Sequence, residues 1–152
     1  MSDRFQFSDA RREFSSVYNR VSRDGAVVVV QRRGSPAVAV VPLDRLRADL
    51  ATLYPFASEV LFEEDGSVSV WLPEFAVYGR GGDLDDAVDD LVDEVEDYVE
   101  DWYGRLRHAP NHAGRIGWVR RIELAEDRTE LRDMLLEPPA SAEDSGSSVT
   151  AA

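Results

Sequence analysis

The sequence predicts an α+β protein made of two small units, an N-terminal βαββα unit and a C-terminal unit of βββα(βα) order. Near the N-terminus an amphipathic helical pattern precedes two β-branched runs, and further along an Asp-Gly pair separates two more strand-like runs. A long apolar stripe of period 3.6 then indicates a second helix. We place the domains at residues 1–53 and 54–137. Residues 138–152 are small and polar, and we expect them to be disordered.

The N-terminal unit begins with a short strand around Phe5 and continues into a helix. Ser8 is a suitable N-cap, because its hydroxyl can accept a hydrogen bond from a free backbone N–H of the first turn. The helix is expected to end at Asp24-Gly25, since glycine tolerates the left-handed conformation that often follows a last turn. The apolar residues of this helix fall at helical spacing: Ala10, Phe14, Val17, Tyr18 and Val21.

Two β-branched runs, residues 26–31 and 37–41, predict a hairpin that follows this helix. Glycine and proline mark the turn between them, and two adjacent arginines, Arg32 and Arg33, are displayed there. A further helix is expected from Pro42 to about residue 53, where leucines recur at spacings of three and four.

A βαββ unit of this size is too small to bury a good core alone, so we expect a two-fold homodimer. The dimer would present Arg11, Arg12, Arg32 and Arg33 twice. This segment resembles the N-terminal domain of the Phd/YefM family of type II antitoxins, through residues 7–11, 28–34 and 36–43. The resemblance implies a homodimeric, DNA-binding autorepressor. The family's DNA-contacting arginines correspond best to Arg11 and Arg32, with Arg12 and Arg33 as their neighbours.

The charge of the chain is distributed unevenly along the sequence. Its net charge of −13 argues against nucleic-acid binding until the two halves are separated. Residues 1–50 contain nine arginines and six acids, a net charge of +3. Residues 51–152 contain eight arginines and 24 acids, a net charge of −16. Such asymmetry predicts two different partners, DNA for the basic part and a basic protein for the acidic part, although the acids could also serve solubility alone.

The second unit is predicted to open with a β-hairpin, residues 60–64 and 67–72, around Asp65-Gly66. A third short strand is expected over residues 75–78. The clearest helix of the chain should then run from Leu84 to Leu106, with Asp83 as its N-cap.

The outward face of this long helix contains ten acids and no base. Like charges at i,i+4 each cost a few tenths of a kcal/mol, so burial of the apolar stripe must outweigh them. The acidic face is either a solvated surface or a docking surface for a basic toxin. We expect five of the acids to contact that toxin: Asp85, Asp89, Asp93, Glu96 and Glu100.

Residues 58–106 resemble the HicB-like antitoxin domain, a partial RNase H-like βββα fold. The resemblance rests on Glu64-Asp65-Gly66, on the strand that ends at residues 71–74, and on Gly81 with residues 83–87. The chain departs from that pattern at residues 75–77, where the family usually has Pro-Gly, and at Asp83, where it usually has threonine. Beyond this domain we expect a loop at residues 107–114, a fourth strand over 116–124, and a last helix from Asp127 or Thr129.

Several classes of function are not supported by the sequence. There is no cysteine, so disulfides and thiolate metal sites are excluded. No phosphate-binding glycine loop or serine nucleophile motif is present, and the acids do not converge as two-metal nuclease chemistry requires. His108 and His112 are poor candidates for a metal site, because Pro110 lies between them. We therefore expect neither an enzyme nor a cofactor, and a cytoplasmic protein without a membrane span.

Together these features favour the antitoxin of a type II toxin–antitoxin system, which neutralises a cognate toxin by direct binding and represses its own operon through DNA. The alternative is a stand-alone transcriptional regulator whose acidic C-terminal domain senses a ligand or only dimerises. Acidic surface is generic, so HicA-like, RelE/ParE-like, Doc-like and PIN-domain toxins all remain possible partners.

Overall fold

The computed structural model describes residues 2–138 of the chain. The chain divides into two compact units, Met1–Asp49 and Leu50–Ala152, and each is described by itself. The described residues contain helices and two small sheets, which agrees with the predicted α+β class. The expected disordered tail, residues 138–152, lies outside the described residues except for Pro138.

The N-terminal unit contains one three-stranded sheet in the order β1-β2-β3. β1 is parallel to β2, and β3 is antiparallel to β2. A helical segment in two parts, α1 and α2, connects the two parallel strands, and α3 follows the sheet. The bounds are β1 Asp3–Gln6, α1 Phe7–Arg12, α2 Phe14–Asp24, β2 Val28–Gln31, β3 Val38–Val40 and α3 Leu43–Leu53. The observed order of these elements is βααββα, with two helices between β1 and β2 where the sequence predicted one.

The first helix differs from the prediction in two ways. It begins at Phe7, directly after β1, and Ser8 therefore lies inside the first turn and not at the N-cap. Gln6 occupies the cap position without a side-chain hydrogen bond. The helix is also interrupted at Glu13, whose φ of −111° and ψ of 33° are not helical. The predicted end is confirmed, because Gly25 is left-handed with φ 65°.

The core of the N-terminal unit is very small. Its buried apolar residues are Ala10, Val17, Val21 and Val28. Several larger side chains of the same unit remain exposed, among them Phe14 at 58% and Tyr18 at 60%. Phe5, Val30 and Val40 are partly buried against these residues, and the whole core is small for an independent unit.

The C-terminal unit is built on an antiparallel sheet in the order β4-β5-β6. Its strands are β4 Glu59–Phe62, β5 Val68–Leu72 and β6 Val77–Gly81. The predicted hairpin is confirmed: Gly66 takes a φ of 88°, which an L-residue rarely adopts. Asp65 accepts hydrogen bonds from the backbone N–H (2.9 Å) and the hydroxyl (2.6 Å) of Ser67, and these bonds lower the pKa of its carboxyl group.

The third strand lies further along the chain than predicted, at Val77–Gly81 instead of residues 75–78. Residues 73–76 form a turn in which the N–H of Ala76 donates to the carbonyl of Pro73, and Ala76 has a φ of 57°. Phe75 lies in this turn, and its side chain is buried. The strand then continues through Gly79 to Gly81, beyond the predicted end at residue 78.

Helix α4, Leu84–Gly104, packs its apolar stripe on this sheet. Asp83 caps it as predicted, accepting a hydrogen bond from the N–H of Asp86 at 2.9 Å. The helix passes very close to β6: a Cβ on Gly79 would lie 2.1 Å from the carbonyl oxygen of Ala87. The buried residues of α4 are Ala87, Val88, Leu91, Val92, Val95, Tyr98 and Trp102.

The predicted fourth strand is wrong, because residues 116–124 form a helix. This helix, α5 (Ile116–Glu123), follows two short 3-10 turns and precedes α6 (Arg128–Leu136). Trp118 and Arg121 lie three residues apart, so a helix places them on one side. There the Trp118 Nε1–H donates to the carbonyl of Pro55 and the Arg121 guanidinium donates to that of Tyr54, both at 2.9 Å.

A strand would have pointed these two side chains to opposite faces. The observed order of the C-terminal unit is therefore βββααα and not βββα(βα). The last helix agrees with the prediction: Asp127 caps α6 and accepts from the N–H of Glu130 at 2.9 Å.

Candidate DNA and partner interfaces

One contact in the N-terminal unit links the two segments that contain the predicted DNA-binding arginines. The turn between β2 and β3 rests against the start of α1, because the Arg32 guanidinium carbon lies 5.1 Å from the ring centroid of Phe7. A guanidinium over an aromatic face is attracted by the quadrupole of the ring, whose face carries partial negative charge. Arg11 and Arg12 lie in the last turn of this six-residue helix. All four arginines, with Arg33 in the turn, are exposed.

Within this cluster the arginines are not equally available. Arg12 donates to Asp9 at 2.9 Å and lies 3.8 Å from Glu13, so part of its charge is balanced within α1. This ion pair is highly exposed, so a DNA phosphate could compete with the Asp9 carboxylate for Arg12. No ion pair links Arg11, Arg32 or Arg33 to an acid of the described residues.

A second surface of the same unit is apolar. A cavity of about 530 Å³ opens between the start of β2 and the start of α3, and Val27, Val41 and Leu46 form its apolar lining. Val38 (61% exposed) and Leu43 extend the exposed apolar surface of this unit. Exposed apolar surface of this extent is typical of an interface.

The acidic face of α4 is partly neutralised by α6. Arg128 donates to Asp93 at 2.8 Å and to Glu96 at 2.7 Å. Arg132 donates to Asp85 at 2.9 Å and is also ion-paired with Asp89. Four of the five predicted toxin-binding acids take part in these ion pairs: Asp85, Asp89, Asp93 and Glu96.

These pairs change the electrostatics of the predicted toxin-binding surface. The hydrogen bond from Arg128 to Asp93 raises the pKa of the arginine, which stays charged. Glu100, the fifth predicted residue, is exposed and lies outside this network. The acids further round the helix, Glu94 and Asp97, are also exposed. The free negative charge of α4 therefore lies away from α6.

The two edges of the C-terminal sheet differ. At the β6 edge the N–H of Arg80 donates to the Asp90 carboxylate of α4 at 2.8 Å. At the β4 edge no hydrogen bond from the residues that the structure describes reaches the outer side of Glu59–Phe62. Every residue of β4 is exposed, including Phe62 at 79%.

His112 belongs to a hydrogen-bonded cluster in the loop after α4. Nδ1 of His112 accepts from the Tyr98 hydroxyl at 2.8 Å and lies 3.2 Å from Nη1 of Arg115, which can only donate. Arg115 also donates to the Tyr98 hydroxyl at 3.1 Å and to the carbonyl of Phe75 at 3.3 Å. This cluster fixes the loop after α4 against the helix. Within residues 2–138 no group of three or more potential ligands could hold a metal ion.

No helix in the described part of the chain is both long and apolar enough to cross a membrane.

Sequence reasoning missed two features of these surfaces. Arg128 and Arg132 lie four residues apart on one face of a short helix, a spacing that matches acids on a neighbouring helix. The spacing is visible in the sequence, but the sequence does not show that α6 packs against α4. The open β4 edge could not be recognised either, since a sequence does not show which strand of a sheet lies at its border.

No curated protein matches the sequence. A solved structure from Syntrophomonas wolfei subsp. wolfei, described as an antitoxin part of a proposed toxin/antitoxin system, has a TM-score of 0.68 and 17% sequence identity. The match covers 87% of this chain and 95% of that one, and at this identity it shows a shared fold.

The family comparison is more specific. The model of the PHD-like family, described as an antitoxin of toxin–antitoxin systems of the RelE/RelB type, matches residues 1–137. That range includes the whole N-terminal unit and residues 50–137 of the C-terminal unit. The chain therefore belongs to the PHD-like family of antitoxins of toxin–antitoxin systems.

Proposed function

We propose that this antitoxin has two separate interfaces. Its N-terminal unit forms a homodimer that binds operator DNA and represses the operon, and its acidic C-terminal unit neutralises the cognate toxin by direct binding. We also propose the finer relationship given by the sequence, a Phd/YefM-like N-terminal domain followed by a HicB-like domain. Neutralisation by binding requires no chemistry from this chain, and we expect no enzymatic activity from it.

The observation that supports DNA binding best is the contact between Arg32 and Phe7. It brings the β2–β3 turn to α1, so that Arg32 and Arg33 belong to the same exposed surface as Arg11 and Arg12. Guanidinium groups suit phosphate because their planar N–H donors match its oxygens. The α4 acids belong to the other compact unit, so the two partners can use different surfaces.

The small core of the N-terminal unit supports dimerisation. A second copy would cover apolar side chains that this unit leaves in solvent, including those around the cavity beside β2 and α3. A two-fold arrangement closes such an interface with a single kind of contact. It also doubles the arginine cluster, which favours an operator with two half-sites.

The support for toxin binding comes from the family and from charge. An antitoxin of such a system has a toxin as its partner, and an acidic unit attracts a basic protein. Four of the five proposed contact residues already pair with Arg128 and Arg132, so a toxin base must join or replace these arginines to reach them. Glu100 is open to a partner without such exchange.

An operator-binding measurement tests the DNA part of the proposal. Arg32→Glu should reduce the affinity of the purified dimer for its own promoter fragment by at least tenfold at moderate salt. Arg23→Glu, the same charge change at the exposed end of α2, is the matched control and should have little effect. Equal losses from both variants would indicate that only the net charge matters and would contradict a defined DNA surface.

A growth assay tests the toxin part. The protein encoded by the open reading frame next to this gene should arrest growth when expressed alone, and co-expression of the full chain should restore growth. Failure to restore it would leave the stand-alone regulator as the better explanation.

A further inference from the structure

We propose that the open edge of β4 is the toxin-docking strand, which pairs with an extended, basic segment of the toxin and so enlarges the sheet from three strands to four. This inference rests on the proposed function, because it names the surface through which the toxin is held. It places the main contact at Glu59–Phe62 and not on the acidic face of α4.

The two edges of the C-terminal sheet differ in how they are covered. Asp90 of α4 caps the β6 edge by accepting from the N–H of Arg80. β4 has no such protection from the described residues. An exposed apolar edge strand invites pairing with another chain, and proteins normally blunt such edges unless they use them. The β4 edge is the one available for an added strand.

Both faces of β4 are exposed to solvent. Val60 and Phe62 are paired with Val70 and Val68, whose side chains are buried on the α4 side of the sheet. Val60 is nevertheless 37% exposed and Phe62 79%, because α4 covers β5 and β6 but leaves this part of the sheet open. On the opposite face Leu61 is 42% exposed. An added strand would cover apolar surface on both sides.

The direction of the backbone groups defines which amides the partner would use. The N–H of Glu63 donates across the hairpin to the carbonyl of Ser67. Since successive N–H groups of a strand point in opposite directions, the N–H of Leu61 points toward β5. The N–H groups of Val60 and Phe62 therefore point away from the sheet and are free to donate to a new strand.

The charges around β4 indicate which kind of segment would pair with this strand. Four acids lie in or next to the strand: Glu59, Glu63, Glu64 and Asp65. A second copy paired antiparallel would bring eight carboxylates together and place like charges near each other, which is unfavourable. Residues 139–152 contain two acids and no base, so they are equally unsuited. A segment rich in Arg or Lys, from the toxin, is the occupant that the charges favour.

Hydrogen exchange of the intact complex provides the direct test. The full chain is co-expressed with the protein encoded by the adjacent open reading frame, and amide exchange is followed residue by residue by NMR, free and bound. The amides of Val60 and Phe62 should exchange at least tenfold more slowly in the complex. The amide of Leu61, already directed toward β5, should change much less.

Two substitutions at the strand give an independent readout of affinity. Phe62→Pro removes the outward N–H, and proline is tolerated where an edge N–H faces solvent. We expect it to weaken the complex at least tenfold. Phe62→Thr keeps the N–H and the strand preference but removes the ring, and we expect a smaller loss. Amide exchange in the wild-type chain still decides the matter if the proline variant does not fold.

A pair of charge reversals separates β4 from α4. Glu63→Arg with Glu64→Arg should weaken the complex, whereas Glu94→Arg with Asp97→Arg, the same charge change on exposed acids of α4, should have little effect. If only the α4 variant loses the toxin, the proposed toxin binding stands and the β4 site is wrong. If no complex forms with the wild-type chain, both proposals fail.

Amide protection in the free chain would also overturn the inference. Protection of Val60 and Phe62 that rises with the concentration of the chain alone would identify a second copy as the occupant. Protection that disappears when residues 139–152 are removed would identify the chain's own C-terminal segment.

Discussion

At the level of single residues, Glu74 has the least favourable environment of the acids described. Its Oε1 accepts a hydrogen bond from the N–H of Ala57 at 2.9 Å, but its Oε2 is buried without a partner among the described residues. Removal from water disfavours the charged form and raises the pKa of this carboxyl group. The folded state therefore binds this proton more tightly than the unfolded chain does.

Because the pKa of Glu74 is raised, Glu74→Gln should change the stability of the protein in a pH-dependent way. A raised pKa stabilises the fold below the ordinary value, and that contribution is lost as the pH rises through the folded value. At pH 7 the uncharged amide should thus be more stable, by up to about 1 kcal/mol, since the side chain is only half-buried and solvent screens it. Urea unfolding at pH 7 and pH 4 measures this.

The gain should shrink at pH 4, where the wild-type carboxyl is largely protonated in the folded state. Glu64→Gln, in the exposed hairpin turn, is the control and should change little at either pH. A Glu74→Gln variant that is less stable than wild type at pH 7 would show that the charge is favourable at this position.

At the level of secondary-structure elements, the contact between α4 and β6 depends on glycine. A Cβ on Gly79 would meet the backbone of Ala87 and the Cβ of Leu91 at 2.1–2.5 Å, so the helix would have to move. We predict that Gly79→Ala destabilises the protein by about 1–3 kcal/mol. Gly104→Ala, at the open end of the same helix, should instead be neutral or stabilising by up to about 1 kcal/mol. Thermal unfolding of both variants checks the prediction, and equal effects would contradict it.

The contact between α4 and α6 is electrostatic as well as apolar. Arg132 holds Asp85 and Asp89, which repel each other at i,i+4. We predict that Arg132→Gln destabilises the protein by about 0.5–1 kcal/mol at low salt and by less at high salt, because these exposed carboxylates are screened.

Arg105→Gln, which removes an ion pair with Asp101 at the end of the helix, is the matched control and should have the smaller effect. Urea unfolding in 20 mM and 1 M NaCl is the measurement. A loss for Arg132→Gln that does not depend on salt would assign its role to packing of the aliphatic stem.

The elements that local sequence patterns specify were predicted well. α4 followed from its apolar period and its Asp83 cap, and the β4–β5 hairpin followed from Asp65-Gly66. Both signals act within a few residues, so no distant contact is needed to recognise them. The end of α2 at Gly25 is of the same kind.

The elements that depend on distant contacts were not predicted. Residues 116–124 were predicted as a strand, but they contain the helix α5, Ile116–Glu123. The helix places Trp118 and Arg121 on one side, where they donate to the carbonyls of residues 55 and 54, contacts that lie more than 60 residues away in the sequence. The pairing of Arg132 with the α4 acids spans more than 40 residues of sequence, and no local pattern contains it.

At the level of the whole molecule, the two compact units give the antitoxin two chemically opposite surfaces. We predict that they can be separated by mutation. Arg11→Glu with Arg32→Glu should abolish operator binding while the chain still rescues growth from its toxin, because these arginines lie outside the acidic unit. Gel-shift and growth assays on the same variant measure both activities. Loss of both together, in a variant that stays folded and dimeric, would contradict the separation.

The central claim is that a paired N-terminal unit holds DNA through guanidinium–phosphate contacts. Its most direct test is the affinity of the wild-type chain for its own promoter fragment across a salt series. If each protomer neutralises two to three phosphates, the plot of log affinity against log salt should have a slope of roughly −4 to −5. A chain that is monomeric and does not bind the fragment even at low salt would contradict the account.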